Sequence, residues 1–166
     1  MQVNTVILHH KEIVHKIRRM AYQVYETNVN ETEVIIAGIQ ENGFVLAKKL
    51  KEQIEKIAPF KVVLCEVSMN KQSPINTVKT SLKLSEMEQK SVVLVDDVLN
   101  SGTTLIYGVK HFLDIPLKQF KTAVLVDRNH KKYPVKADFK GISLSTSIHE
   151  NVVVDFSKNN YSISLK

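Results

Sequence analysis

Apolar residues recur at helical spacing in three parts of the chain. Residues 11–27 and 44–57 each place an apolar side chain every three or four positions, which predicts an amphipathic helix in each segment. Pro59 follows the second segment and is expected to end it. Residues 103–113 predict a third helix. The predicted buried positions of the first two helices are Ile13, Ile17, Met20 or Ala21, Val24, Leu46, Ala47, Leu50, Ile54 and Ile57.

Short, predominantly apolar runs lie between the helices. They occupy residues 34–39, 61–67, 92–95 and 123–126. A strand that is apolar on both faces is typical of a parallel sheet covered by helices on both sides. Since strands and helices alternate, we predict an α/β fold, with a mostly parallel sheet in a single domain over residues 1–166. The short β-like segments are expected to form a small C-terminal β hood; they are residues 142–144, 152–156 and 161–165.

One long segment, residues 68–89, shows no sustained period. It is rich in Lys, Ser, Asn and Thr and contains Pro74. A segment of this length without regular structure is usually a functional lid or a flexible excursion. Ligands of parallel sheets bind at the carboxyl ends of the strands. We therefore expect the functional residues in the loops that follow the strands.

Composition narrows the classes of function. The single cysteine, Cys65, excludes an intrachain disulfide and a cysteine-rich metal site. No apolar run approaches the ~18 residues of a membrane helix, and the N-terminus lacks the pattern of a secretory signal. We therefore expect a cytoplasmic protein with no membrane partner. Lys and Arg total 23 against 17 Asp and Glu, a net charge of +6, which favours anionic partners such as phosphorylated small molecules or nucleic acid.

The strongest chemical signal is the segment 92–104. A buried strand runs into two adjacent carboxylates, Asp96 and Asp97, and a turn and a helix start follow. Backbone N–H groups at a helix start favour an anion, hydroxyl groups add donors, and a glycine lets the backbone approach a phosphate. Because carboxylates accept hydrogen bonds from hydroxyl groups, the combination suits a sugar phosphate. The residues of the turn and helix start are Asn100, Ser101, Gly102, Thr103 and Thr104.

Two other interpretations of this segment are weaker. A helix capped by Ser101, with both acids in solvent, is the simpler interpretation, but it leaves the full pattern of strand, acids and hydroxyl-rich turn unexplained. A Walker P-loop is excluded because no Gly-Lys-Ser/Thr sequence follows the strand.

The segment resembles the phosphoribosyl-pyrophosphate signature of type I phosphoribosyltransferases. Residues 38–43 fall where that family has its pyrophosphate loop. Residues 123–141 resemble one subgroup, the bifunctional pyrimidine-operon regulators that also have uracil phosphoribosyltransferase activity. The resemblance extends over residues 11–156.

The resemblance implies transfer of phosphoribose from phosphoribosyl pyrophosphate (PRPP) to a nucleobase, with release of pyrophosphate. Asp96 and Asp97, the candidate catalytic residues, would bind the ribose hydroxyls and stabilise positive charge on the ring. Residues 100–104 would hold the 5′-phosphate. Mg²⁺ is implied as the cofactor, held mainly by substrate oxygens rather than by a direct protein site. We also expect a homo-oligomer, a dimer or higher.

The candidate pyrophosphate loop departs from the subgroup, which carries Lys and Arg there. Backbone N–H groups can still face pyrophosphate, but Glu41 brings a negative charge toward it, so PRPP is expected to bind more weakly than UMP. Lys71 and Lys79 are candidates for replacement cations. The sequence leaves three functions open: a uracil phosphoribosyltransferase, a UMP-sensing RNA-binding regulator, and a catalytically weak nucleotide-binding relative. The loop consists of Gly38, Ile39, Gln40, Glu41, Asn42 and Gly43.

Two positions indicate the base. Purine-type members of the family commonly carry an acid where this chain has Asn100, and a lysine where it has Asp127. Both departures favour uracil, and Asp127 with Arg128 forms the candidate base region. The simpler interpretation is that Asn100 is a turn residue and that Asp127 pairs with Arg128.

Basic residues mark a candidate RNA patch. In the resembled subgroup the region after residue 127 contributes to binding messenger RNA. Because lysines read sequence poorly, we slightly favour a solvated surface over an RNA site. The candidate residues are Arg18, Arg19, His130, Lys131, Lys132, Lys136 and Lys140.

Overall fold

Strands and helices alternate along most of the chain, as the apolar pattern predicts. The computed structural model describes residues 4–166. Two short 3₁₀ helices, Leu84–Met87 and Ser157–Asn159, accompany the main elements. In chain order the main elements are β1 (Thr5–His9), α1 (His10–Glu26), β2 (Glu33–Ile39), α2 (Asn42–Ile57), β3 (Lys61–Ser68), β4 (Lys79–Thr80), β5 (Ser91–Leu99), α3 (Thr103–Phe112), β6 (Gln119–Asp127), β7 (Phe139–Ser143), β8 (Val152–Asp155) and β9 (Ser162–Leu165).

The main sheet has six strands in the order β4-β3-β2-β5-β6-β7. Every neighbouring pair is parallel except β3 and β4. The predicted α/β fold with a mostly parallel sheet is confirmed. Strand order reverses at β2, since β3 lies on one side of it and β5 on the other. Ligand crevices of such sheets form at this reversal, outside the carboxyl ends of the strands.

Helices cover both faces of the sheet. The predicted apolar face of α1 is buried as a whole, and with Leu46 and Leu50 of α2 it joins the core on one side of β5. Leu105 and Phe112 of α3 belong to the core on the other side. Burying one such side chain contributes about 1.5–3 kcal/mol, so the sheet is held from both faces. His9 precedes α1, and its backbone N–H donates to the Glu12 carboxylate at 2.9 Å.

The hood differs in make-up from the sequence prediction. The hood is a three-stranded antiparallel sheet. Its central strand, β9, pairs with β8 on one side and with β1 on the other. The first of the predicted hood segments, around Ile142, instead lies in β7 and extends the main sheet beside β6. Phe139 in β7 packs into the core under α1, which explains why this segment joins the main sheet rather than the hood.

Residues 68–89, predicted as a lid or a flexible excursion and called the lid below, begin at the last residue of β3. Beyond it they contain only the two-residue strand β4 and one 3₁₀ helix. Met69 and Met87 are buried near the two ends of the lid and fix it to the sheet core. A cavity of about 290 Å³ separates the lid from α3. None of the helices within residues 4–166 is long and apolar enough to cross a membrane.

Candidate functional site

Two helix starts and two strand ends meet at the reversal of strand order. β2 leads through residues 40–41 into α2, and β5 leads through residues 100–102 into α3. β2 and β5 are neighbouring parallel strands, so both connections open at the same edge of the sheet. The structure therefore brings the candidate pyrophosphate loop and the candidate phosphate loop to one site.

Asp96 and Asp97 lie within β5, which extends four residues beyond the predicted apolar run. Asp96 is buried and Asp97 half-buried. The Asp97 backbone N–H donates to Asp96 Oδ1 at 2.9 Å. A Cβ atom on Gly43 would lie 2.9 Å from the same oxygen, so a glycine is needed where α2 begins beside this carboxylate.

Burial and neighbouring charges act strongly on the Asp96 carboxyl group. Burial, and secondly the negative charge of Asp97, raise the pKa of the Asp96 carboxyl well above its ordinary value. The positive charge of Lys71 acts in the opposite direction. A buried carboxylate of this kind gains strongly from any positive charge that approaches it.

The candidate phosphate loop is a tight turn before α3. Gly102 has φ 86°, a backbone conformation that glycine adopts without strain. Ser101 Oγ lies 2.8 Å from Thr103 Oγ1 and accepts a 3.3 Å hydrogen bond from the Thr103 backbone N–H. A cavity of about 40 Å³ lies within this turn, between Asp96 and Leu105. The turn and the first residues of α3 thus surround a small space that Asp96 also lines.

The segment after β6 closes over this turn. The backbone N–H groups of Lys132 and Tyr133 donate to the Ser101 carbonyl oxygen at 2.7 and 3.3 Å. Val135 Cγ1 lies 2.7 Å from the place where a Cβ on Gly102 would be. Nothing in the sequences of the two segments marks them as neighbours, so local patterns do not predict this contact.

The candidate pyrophosphate loop uses its polar side chains to hold the fold. Gln40 Nε2 donates to the Met69 carbonyl oxygen, and Asn42 Nδ2 donates to the Val154 carbonyl oxygen, each at 2.8 Å. Glu41 lies between them with φ 68° and an exposed side chain. Gly38, at the start of the loop, is required by the close approach of α2, since a Cβ there would lie 2.7 Å from Ala47 Cβ.

Of the two candidate replacement cations, Lys71 reaches this loop. Its Nζ lies 3.6 Å from Glu41 Oε2 and 3.5 Å from the Gln40 carbonyl oxygen. Lys79 lies in β4, exposed and paired with Ser68 at the edge of the sheet. The lid therefore brings one cation to the site.

The candidate base region consists of two buried charges with different partners. Asp127 Oδ2 lies 3.5 Å from Lys140 Nζ and 3.7 Å from Lys131 Nζ, so Asp127 pairs with these lysines rather than with Arg128. Arg128 instead donates to Asn100 Oδ1 at 2.9 Å and to Thr146 Oγ1 at 2.7 Å. Its remaining acceptors are the carbonyl oxygens of Ser147 and Glu150.

The candidate RNA-patch residues divide into groups. Arg19 Nη2 donates to the carbonyl oxygens of Gly141 and Lys140 at 2.7 and 3.2 Å, which places Arg19 beside one of the two lysines that pair with Asp127. Lys136 lies 3.6 Å from Asp138. His130 Nε2 is hydrogen-bonded to the Thr146 carbonyl oxygen at 2.7 Å. The Lys132 backbone N–H donates to Ser101 in the candidate phosphate loop, and Arg18 is exposed on α1.

The carboxylates suit a hard cation such as Mg²⁺, because their oxygens are the ligands it prefers. Within residues 4–166, no three His, Cys, Asp or Glu side chains lie close enough together to hold a metal ion by themselves. A divalent cation beside Asp96 and Asp97 would therefore need further oxygens from a ligand.

Comparison with known proteins agrees with this geometry. Residues 4–159 match the phosphoribosyl transferase domain family. The bifunctional protein PyrR of Bacillus pumilus is 32% identical over 170 residues, covering 95% of this chain and 93% of the relative. The bifunctional protein PyrR of Geobacter sp. (strain M21) is 34% identical, covering 96% and 95%.

Solved structures show the same fold at low identity. A hypoxanthine-guanine phosphoribosyltransferase from Bacillus anthracis superposes with a TM-score of 0.72 at 20% identity, covering 89% of this chain and 86% of that one. The hypoxanthine phosphoribosyltransferase of Trypanosoma cruzi gives a TM-score of 0.74 at 16% identity, covering 96% and 95%. From the family match and the identity to full-length relatives, the chain belongs to the phosphoribosyltransferase family and, within it, to the PyrR type.

Proposed function

We propose that this protein transfers phosphoribose from PRPP to uracil, giving UMP and pyrophosphate. The observation that supports this most directly is the connection from Asp96 to Thr104. It combines two carboxylates, one of them buried, with the hydroxyl and N–H donors of a helix start around a small cavity. These two kinds of group match the two ends of a ribose 5-phosphate.

The chain's own residues would act by binding and by electrostatics. Residues 101–104 would hold the 5′-phosphate at the start of α3, and Asp96 and Asp97 would accept hydrogen bonds from the ribose hydroxyls. As the bond from ribose C1 to pyrophosphate breaks and the base nitrogen attacks, the ring becomes positive, and carboxylates fixed nearby stabilise that charge. Mg²⁺, held by substrate oxygens beside these carboxylates, would offset the charge of the leaving pyrophosphate.

The preference for uracil rests on Asn100 and Asp127. An amide at position 100 cannot take a proton from a purine ring as a carboxylate can, and Asn100 is already oriented by its hydrogen bond from Arg128. Asp127 is buried between two lysines. A purine would therefore find neither the acid nor the exposed lysine that purine-type members supply.

The test is pyrophosphate release from PRPP and Mg²⁺ with uracil, hypoxanthine or guanine in turn. We expect release with uracil, and loss of that release in Asp97→Asn. Lys79→Gln, which changes an exposed lysine of the lid, serves as the matched control. Faster release with a purine would refute the base preference. UMP binding without release from any base would favour the catalytically weak relative.

A UMP-sensing RNA-binding regulator is the second candidate. It is supported by similarity to proteins named bifunctional PyrR and by the grouping of Arg19, Lys131 and Lys140. Electrophoretic shift of a pyrimidine-operon leader RNA, with and without UMP, tests it. We expect UMP-dependent binding that Arg19→Gln weakens. The same binding to an unrelated RNA would indicate only attraction of phosphates by a basic surface.

We also propose a homo-oligomer, a dimer or higher. Light scattering coupled to size-exclusion chromatography tests this, and a monomer mass at micromolar concentration would contradict it.

A further inference from the structure

The lid makes an ion pair with the candidate pyrophosphate loop. Lys71 Nζ lies 3.6 Å from Glu41 Oε2, and it also lies 3.5 Å from the Gln40 carbonyl oxygen. The Lys71 side chain is 36% exposed and that of Glu41 is 77% exposed. Since both groups are accessible, a ligand that enters the loop can compete for either of them.

No residue of the candidate pyrophosphate loop has a cationic side chain. The Gln40 and Asn42 side chains are committed to the carbonyl oxygens of Met69 and Val154. The one charged side chain within residues 38–43 is the carboxylate of Glu41. A phosphate group at this loop would meet backbone donors, a negative charge, and the ammonium group of Lys71.

The backbone holds Glu41 in place. Its φ of 68° is unfavourable for a residue with a Cβ atom. The conformation is fixed from both sides, because the Phe44 and Val45 N–H groups both donate to the Glu41 carbonyl oxygen at 3.1 Å and the Gln40 N–H donates to the Val67 carbonyl oxygen at 2.7 Å. The carboxylate therefore belongs to a rigid loop, whereas Lys71 belongs to the lid.

Lys71 also acts on the other half of the site. Its positive charge opposes the effects that raise the pKa of Asp96, so the ammonium group lies close enough to influence the candidate ribose-binding carboxylate. Lys71 therefore contacts the candidate pyrophosphate loop and also lies within electrostatic range of Asp96.

We propose that Lys71 is the cation that binds the pyrophosphate group of the substrate, and that Glu41 is an internal competitor that holds Lys71, and with it the lid, while the site is empty. This inference rests on the proposed function. On binding, the diphosphate takes the place of the Glu41 carboxylate at Lys71. UMP carries no diphosphate, so it leaves the ion pair intact.

The two residues therefore act on ligands selectively. Removing the Glu41 charge frees Lys71 and lowers repulsion, so pyrophosphate and PRPP bind more tightly. Removing the Lys71 charge leaves the diphosphate with the backbone donors and the Glu41 carboxylate but no cation, so both ligands bind more weakly. Because exposed ion pairs are weak and screened by solvent, we expect changes of about threefold for Glu41→Gln and about tenfold for Lys71→Gln.

Calorimetry with Mg²⁺-pyrophosphate, PRPP and UMP tests the proposal on the full chain. The variants are Glu41→Gln, Lys71→Gln and the double substitution, with Lys79→Gln as the matched control from the same lid. We expect UMP affinity to stay within twofold in Glu41→Gln and Lys79→Gln. In Lys71→Gln it should change less than pyrophosphate affinity, because Lys71 also acts on Asp96. Glu41→Gln should have a smaller effect in the Lys71→Gln background, since its competitor role needs Lys71.

A second measurement follows the lid itself. Backbone hydrogen exchange of residues 70–77 should increase in both Glu41→Gln and Lys71→Gln without ligand, and Lys79→Gln should leave it unchanged. Equal pyrophosphate affinity in Lys71→Gln and Lys79→Gln would overturn the proposal, and so would an equal change in UMP affinity. Failure of the unsubstituted protein to bind UMP would refute the proposed function instead, since pyrophosphate binding reports on Lys71 separately.

Discussion

Arg128 Nη1 donates a 2.9 Å hydrogen bond to Asn100 Oδ1 and so joins the end of β6 to the candidate phosphate loop. The same guanidinium group holds the segment after β7 through Thr146, Ser147 and Glu150. It is buried, and a buried charge is stable only when its donors are satisfied. Arg128 therefore positions two loops of the site, and its part in the candidate base region is structural support.

Replacing Arg128 should destabilise the protein. We expect Arg128→Met to lower the free energy of unfolding by about 2–4 kcal/mol, because several acceptors lose a charged donor in a buried place. Arg128→Lys should also destabilise, since an ammonium group cannot reproduce the planar set of donors. Urea unfolding measures both. The exposed arginine of α1 gives the control Arg18→Met, and an equal loss in that variant would contradict the role of Arg128.

Asp96 should lower stability at neutral pH. Its folded pKa is raised, so the folded protein holds this proton more tightly than the unfolded chain. Stability linked to this proton is present below the ordinary pKa near 3.8 and is lost as pH rises toward the folded pKa. We expect the free energy of unfolding of Asp96→Asn at pH 7, measured with urea, to exceed that of the unsubstituted protein by about 1 kcal/mol. The variant should also lose UMP affinity.

The dependence on pH separates this effect from a general change in packing. The difference in unfolding free energy between Asp96→Asn and the unsubstituted protein should be small at pH 4 and grow at higher pH. Asp97→Asn is the control, because that side chain is only half-buried. A difference that stays constant from pH 4 to pH 8 would contradict the assigned cause.

Gly102 should be essential for the shape of the candidate phosphate loop. Gly102→Ala introduces a Cβ atom at φ 86° and within 2.7 Å of Val135 Cγ1. We expect a loss of about 1–3 kcal/mol in unfolding free energy and weaker UMP binding. Adding Val135→Ala removes the contact and leaves the backbone strain, so the double variant should recover only part of the loss. Full recovery would show that the contact alone matters.

An anion should bind in that loop. A crystal structure with UMP or sulfate is expected to show the phosphate or sulfate against residues 101–104, because the N–H and hydroxyl donors converge there. Occupancy of another position while this loop stays empty would contradict the assignment. Gly102→Ala crystals under the same conditions provide the comparison.

Local patterns account for the parts of the structure that depend on neighbouring residues in the chain. The helical period at Ile13 and Ile17 and the apolar run before Asp96 identify the elements and the edge of the sheet at which the two loops meet. The first strand, β1, was not predicted, because it is short and gains its pairing only from β9 at the other end of the chain. Contacts such as Arg128 with Asn100 depend on distant segments, which no local period can indicate.

The candidate pyrophosphate loop shows the same limit. From the sequence, Gln40 and Asn42 are simply uncharged residues where cations are expected. The structure gives each of them a hydrogen bond that holds the loop to the lid or to the hood. The sequence shows the charge of the loop, but it does not show the hydrogen bonds that its side chains make to the lid and the hood.

Restoring cations to this loop should therefore tighten PRPP binding and weaken the fold together. For Gln40→Lys with Asn42→Arg, we expect PRPP affinity to improve by about 1–2 kcal/mol after solvent screening, with little change for UMP. The free energy of unfolding should fall by about 1–3 kcal/mol, because both 2.8 Å hydrogen bonds are lost. Calorimetry and urea unfolding measure the two effects. Gln40→Met with Asn42→Leu loses the same bonds without adding charge, so it should reproduce the loss of stability alone. If that control tightens PRPP binding equally, the charge of the loop does not limit the site.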